Sequence, residues 1–261
     1  MEDRRIGGGA EIQQSVGQTG GISGFSLHIF AMVTMLIDHI GYYFSDAIWL
    51  RAIGRLAFPI FAFLIIEGFF HTKSRLKYAI RLFAFGVISE VPFDLYFFDN
   101  VYYPFHQNVM WTFLISLLVI WAIDYTRSKL NSPWWLIAAV LIGGVGCYIG
   151  DMAMVDYGGA GVLMVFVFYI FREPNVYNKI IQAALMIYIN FFVLGGWTVD
   201  ITILGYTFPL ILQGLAVFSL IFIWLYKGRH GFYNKVVKYV YYGFYPAHLA
   251  ILFLLIYSGV M

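Results

Sequence analysis

Charge is scarce in this chain. Asp, Glu, Lys and Arg make up 11% of its 261 residues, where soluble domains carry about 25%. The polar surface that keeps a globular fold in water is therefore missing. Cysteine is nearly absent: Cys147 is the single one and sits in an apolar run. That excludes an internal disulfide framework and speaks against a cysteine-built metal site, so Cys147 reads as a small packing residue and no metal is expected. The net charge of +2 gives no sign of a nucleic-acid partner. The first 24 residues lack the contiguous apolar stretch of a signal peptide and are rich in Gly, Gln and Ser. Residues 1–24 read as a disordered cytoplasmic tail.

What is present is apolar and aromatic. Hydrophobic residues make up 61% of the chain, aromatic ones 20%, and the mean hydropathy is +0.79. A membrane-spanning helix needs about 20 largely apolar residues. Nine stretches approach this: Phe25–Phe44, Ile48–Phe70, Leu76–Phe97, Val109–Ile123, Pro133–Ile149, Gly158–Phe171, Lys179–Leu194, Thr198–Tyr226 and Val236–Val260. No internal repeat or Pro/Gly/Ser linker divides them. The expectation is an all-α, polytopic transmembrane helical bundle of about nine spans over residues 25–261, lodged in the lipid bilayer.

The loops orient it. Arg4, Arg5, Lys73, Arg75, Lys77, Arg127, Lys129, Arg172, Lys179, Lys227, Arg229, Lys235 and Lys238 fall on one side of an alternating topology, thirteen of the sixteen cations. Cytoplasmic loops collect Lys and Arg, so this predicts a cytoplasmic N-terminus. Arg51 is the loop cation that breaks the pattern.

Charged side chains also fall inside the apolar stretches, where each costs about 2.5 kcal/mol or more at mid-membrane, and such residues default to a functional reading. Asp38 and His39 lie near the outer end of the first stretch, and Arg55 at similar depth in the second. Glu90 and Asp94, and Asn108 and Thr112, are i,i+4 pairs on single helix faces. These are expected to converge in the outer half. Glu67, His71, Thr72 and Arg81 lie nearer the cytoplasm, beside the basic loop of Lys73, Arg75 and Lys77. Tyr245 and His248 sit one turn apart near mid-depth. A basic mouth suits a phosphate-bearing ligand, and a buried carboxylate–imidazole pair suits general base catalysis. Adjacent helix residues do not share a face, so the partner of His39 need not be Asp38; Glu67 or Glu90 from another helix also qualifies. Plainer readings stand beside these. The basic loop is also what orientation alone requires, Arg55 with Glu90 or Asp94 is also a structural ion pair, and His28, His106 and His230 read as incidental.

Several motifs together carry a family resemblance. Asp38-His39-Ile40-Gly41 is followed by Arg51 to Phe63 with Arg55 and Pro59, then Glu67-Gly68-Phe69 and His71-Thr72. Lys77-Tyr78, Arg81-Leu82 and Ser89-Glu90-Val91-Pro92-Phe93-Asp94 come next. Asn108-Val109 with Thr112, Asp156-Tyr157-Gly158 with Gly161, and Tyr245-Pro246-Ala247-His248 complete the series. In this order and spacing the chain resembles the TraX family from about residue 22 to 256. That resemblance implies an integral membrane acetyltransferase of the bacterial plasma (inner) membrane, related to the acyltransferase 3 proteins. The acetyl group would come from cytoplasmic acetyl-CoA and go to an amine or hydroxyl: a pilin N-terminus in the family namesake, or a small molecule. It implies His39 as the catalytic base, with Asp38 and Glu90 as candidate partners, and Arg55, Arg81, Lys73, Arg75 and Lys77 as candidate CoA contacts. Glu67, His71, Asp94, Asn108, Thr112, Tyr245 and His248 remain substrate-binding or structural polar core. Two competing classes are a proton-coupled transporter, which also needs buried ionisable groups, and a non-enzymatic envelope assembly factor.

Overall fold

Short polar punctuation starts the helices. Ser23, Ser74, Asn108, Asn175 and Asn234 each accept a backbone N–H of the following turn through their side chains, which satisfies donors that a helix start leaves open. The structure, a computed structural model, describes residues 21–44, 46–203, 205–232 and 234–260. Residues 1–20 of the predicted tail lie outside the described residues. Residues 21–24 do not trail away: the Ile22 and Gly24 amides donate to the Leu225 and Arg229 carbonyls at 2.9 and 2.7 Å.

The chain forms α1 (Gly24–Tyr43), α2 (Ile48–Gly54), α3 (Ala57–His71), α4 (Arg75–Phe98), α5 (Val109–Arg127), α6 (Trp134–Met152), α7 (Gly158–Ile170) and α8 (Val176–Tyr188). A π-helical turn, Ile189–Val193, extends α8. Then come β1 (Thr198–Ile203) and β2 (Tyr206–Ile211), paired antiparallel. A 3-10 stretch, Leu212–Phe218, runs into α9 (Ser219–Trp224), and α10 (Lys235–Tyr257) closes the fold.

The predicted count of nine spans is corrected. Among the described residues, six helical segments are long and apolar enough to cross a membrane: Gly24–Tyr43, Ile48–His71, Val109–Arg127, Trp134–Met152, Val176–Val193 and Lys235–Tyr257. α4 is long enough but carries Arg75, Lys77, Arg81, Glu90 and Asp94. α7 has 13 residues. The predicted eighth span is not one helix. Its first half is the β1–β2 hairpin, and its second half, Leu212–Trp224, is a 3-10 turn joined to a short α-helix. Gly205, at φ +85° between the strands, takes the left-handed turn that breaks it. The chain is a multi-pass membrane protein.

α3 sits at the centre, with Phe58, Ile60, Ile66 and Phe69 buried against α1, α5, α7 and α9. In lipid there is little hydrophobic drive between helices, so close packing holds them together. Two glycines of α6 allow it: a side chain at Gly146 would run into Val119 and Val162, and one at Gly150 into the Gly158 carbonyl. Outward-facing Val140, Leu141 and Val145 are each more than half exposed, as a lipid-facing helix requires.

Contacts collect the cation-rich loops at one end of the bundle. Arg75 pairs with Asp124 at 2.8 Å and Arg172 with Glu67 at 3.0 Å, while Gly24 meets Arg229. His39, Tyr96 and Tyr157 lie at the opposite end.

Candidate functional site

Each end opens into a cavity. The one at the cation-rich end measures about 770 Å³. Lys73, Lys77, Arg81 and Lys238 line it, with His28, Glu67, His71, Thr72, Tyr226, His230, Tyr241 and Tyr242 and an apolar wall of Phe61, Leu64, Ile65, Met110 and Phe113. Glu67 does not cancel the cations. Its Oε1 accepts Arg172 Nη2 at 3.0 Å and its Oε2 accepts the Tyr226 hydroxyl at 3.0 Å. The His71 Nδ1–H donates to the Glu67 carbonyl at 2.8 Å. Arg81 Nε reaches the Tyr242 hydroxyl at 3.4 Å. Arg75 does not line this cavity; it pairs with Asp124 and lies over the Phe69 ring at 4.0 Å. Four cations around a largely apolar hollow fit a ligand that carries both phosphates and a thin uncharged arm.

The second cavity, about 350 Å³, is lined by Asp38, His39, Tyr42, Arg51, Arg55, Phe58, Asp156, Tyr157, Gln213 and Tyr245, with Leu194–Trp197 at its side. Asp38 bridges two arginines. Its Oδ2 accepts Arg51 Nη1 at 2.7 Å, its Oδ1 accepts Arg55 Nη2, and its carbonyl accepts Arg51 Nη1 at 3.0 Å. Arg55 Nη1 donates to Gln213 Oε1 at 3.1 Å, and Gln213 Nε2 donates to Asn190 Oδ1 at 2.9 Å. Asn190 lies in the π-helical turn after α8, a local irregularity often found at functional sites. A string of buried polar groups thus sets the Arg55 guanidinium in place.

His39 finds its partner in another histidine. Its Nδ1 lies 2.7 Å from His248 Nε2. His248 Nδ1 lies 2.8 Å from the Phe244 carbonyl, which only accepts, so that nitrogen carries the proton in the neutral ring. His248 Nε2 is then a lone pair, and the proton between the rings sits on His39 Nδ1. His39 Nε2 is left unprotonated on a residue that lines the cavity. The tautomers follow from the hydrogen-bond pattern. The predicted carboxylate partner of His39 is therefore replaced by an imidazole, and Tyr96 bonds the His39 backbone carbonyl from α4.

Other predicted residues fall elsewhere. Glu90 does not line the His39 cavity: Asn108 Nδ2 donates to its carboxylate at 2.6 Å, and Trp111 Nε1 donates to it as well. Arg55 pairs with Asp38, not with Glu90 or Asp94. Asp94 accepts the Tyr103 amide at 2.8 Å. Asn108 caps α5 and donates to the Gly86 carbonyl at 2.8 Å. Thr112 donates to the Asp156 carbonyl, which ties α5 to the turn before α7. His106, read as incidental, lies 3.7 Å from Asp156. At that distance the contact is electrostatic. The Asp156 carboxylate holds the His106 imidazole above its ordinary value, against the opposing effect of burial.

Arg51, Gln213, Asn190, Tyr157 and Arg172 are site residues that the sequence reading did not assign. The amides of Asn190 and Gln213 inside apolar runs were a usable signal. Arg51 stands out in the sequence as the exception to the loop-charge pattern.

A family model described as TraX protein matches residues 23–256. Among curated proteins, the probable fimbrial assembly protein FimC, serogroup H1, of Dichelobacter nodosus is 36% identical over 124 residues. The match covers 42% of this chain and 49% of that protein, so the chain spans about half the length of this relative. No solved structure matches.

Proposed function

Since the chain belongs to the TraX family, we propose that it moves an acetyl group from acetyl-CoA to an amine or hydroxyl acceptor, with His39 as the general base. The observation that carries this is the His39–His248 contact beside the 350 Å³ cavity, whose hydrogen-bond pattern leaves Nε2 of His39 as the unprotonated nitrogen. Acetyl-CoA supplies the activated thioester. Lys73, Lys77, Arg81 and Lys238 would hold its phosphates, and the apolar wall of the same cavity suits its uncharged arm. The acceptor would enter the His39 cavity and lose its proton to Nε2 as it attacks. Arg51 is the best-placed donor for the developing oxyanion: Arg55 is committed to Asp38, Gln213 and the Arg51 carbonyl, whereas Arg51 spends one nitrogen on Asp38. In this reading the cation-rich end faces the cytoplasm of a bacterial inner membrane.

The name of the Dichelobacter relative supports an acceptor among fimbrial subunits. It equally supports a second reading, an assembly factor without chemistry, which predicts that neutral substitutions at His39 and Arg55 leave function intact.

Thermal unfolding of the purified protein tests the donor. A ligand at 100 times its Kd stabilises by about 2.7 kcal/mol, roughly 5–10 °C for a chain of this size. Acetyl-CoA should produce that shift, and the analogue lacking the 3′-phosphate a smaller one. His39→Ala should keep the shift but lose transfer by about 100-fold or more. No shift with acetyl-CoA, or full transfer by His39→Ala, overturns the reading.

A further inference from the structure

We propose that His39 and His248 form a two-imidazole proton relay in which the proton taken up by His39 comes to rest on His248. This rests on the reading of His39 as the base. The rings are 4° from parallel with centroids 4.9 Å apart, and their nitrogens approach to 2.7 Å. That combination joins the rings edge to edge along an N–H···N bond and leaves no face-to-face stack.

The surroundings decide where a positive charge settles. His39 shares its cavity with the cations Arg51 and Arg55 and with two carboxylates: Asp38 is taken by both arginines, and Asp156 lies 3.7 Å from His106. From α4, Tyr96 spends its hydroxyl on the His39 backbone. An imidazolium on His39 is therefore opposed by two cations, and both carboxylates of the cavity already face other cationic or ionisable partners. His248 does not line that cavity. Its Nδ1–H points at the Phe244 carbonyl, and the Phe244 ring lies against it at 4.4 Å and 7°. A carbonyl dipole and an aromatic face both favour a cation.

The step balances. The acceptor N–H or O–H proton goes to His39 Nε2, and the Nδ1 proton of His39 goes to His248 Nε2. His39 is then neutral again as the Nε2–H tautomer, and His248 is the imidazolium. A C–N or C–O bond forms at the acetyl carbon while the C–S bond breaks, its electron pair leaving on sulfur. The reverse shift returns one proton through His39 Nε2 to that sulfur as a thiol. His248 touches no reacting atom and acts as a positioning residue.

The test is ¹⁵N NMR of histidine-labelled protein in nanodiscs, with the two rings assigned from His39→Asn and His248→Asn. In the neutral pair both Nδ1 atoms should be protonated. Adding one proton should turn His39 into its Nε2–H form and protonate both nitrogens of His248. A doubly protonated His39 beside an unchanged His248 Nε2, or a neutral His39 of the Nε2–H type, overturns the relay. Kinetics form the second arm, with acetyl-CoA as donor and hydroxylamine as acceptor. His248→Gln still accepts the His39 Nδ1–H but cannot take up a proton. It should lose about tenfold or more in transfer with acetyl-CoA affinity unchanged, and its proton inventory should drop from two protons to one. Wild-type transfer by His248→Gln overturns the relay. Wild-type protein that transfers nothing overturns the acetyltransferase reading instead, while the NMR signature still decides where the proton rests.

Discussion

Asp38→Asn changes one atom type and leaves one of the most charge-dense points of the bundle without its anion. The Asp38 side chain is 11% exposed, and the Arg51 and Arg55 side chains 18% and 14%. One carboxylate thus holds two mostly buried cations. At the 2.7 Å of the Arg51 contact and an effective dielectric of about 20, that attraction is about 6 kcal/mol before desolvation is subtracted. Removing one member of a buried ion pair costs about 3–5 kcal/mol, because the remaining charge is stranded. Here two charges are stranded and repel each other, so the cost belongs at the upper end. For a chain of this size 5 kcal/mol lowers the unfolding midpoint by roughly 10–20 °C. The double variant Asp38→Asn/Arg51→Gln should recover about half of the loss. It removes the repulsion and leaves Arg55 bonded to Gln213 and to the Arg51 main-chain carbonyl. The assay is thermal unfolding in detergent, run as a double-mutant cycle. If Asp38→Asn unfolds within 2 °C of wild type, or the double variant is less stable than the single one, Asp38 does not neutralise the arginine pair.

Three further outcomes follow from the geometry. Gly54→Ala places a methyl group on the Asp38 side chain and should cost about 1–3 kcal/mol; a midpoint within 1 °C of wild type would refute the close approach. Lys73→Ala, Lys77→Ala and Arg81→Ala should each weaken acetyl-CoA binding by about 1.5–3 kcal/mol, or 10- to 150-fold. Arg127→Ala, whose guanidinium lies 5.0 Å over Trp135 and does not line that cavity, should leave calorimetric affinity unchanged. The third concerns pH. The His106 imidazole is raised above its ordinary value of 6.5, first through its contact with Asp156. A raised value in the fold means that the charged pair stabilises fully below pH 6.5, and that this contribution fades as pH climbs through the raised value. Wild-type unfolding midpoints should therefore fall over that range more steeply than those of His106→Gln; parallel profiles would show that the pair adds nothing.

The loop charges and apolar stretches made much of the bundle legible, because lipid imposes a length and a composition on every crossing. The eighth stretch, Thr198–Tyr226, misled for a physical reason. Hydropathy counts apolar residues but not backbone geometry, and Thr198–Ile211 is rich in β-branched and aromatic residues around Gly205, which suits a hairpin. α4 shows the opposite case, a long helix whose five charged side chains make it more polar than the apolar spans.

Composition and spacing alone determined that this is a membrane protein, that its cations gather at one end, and that His39, Asp38 and Arg55 are out of place in lipid. Those conclusions rest on transfer energies, which depend on residue type and position along a helix. Which groups meet was decided only by the tertiary structure. His39 and His248 stand 209 residues apart and Arg55 and Gln213 stand 158 apart, and no helical period relates such pairs. The packing of α10 and the Leu212–Phe218 turn brings them within hydrogen-bond reach. At 2.7 Å the choice of partner sets the tautomer of His39, and with it which nitrogen is left to take a proton.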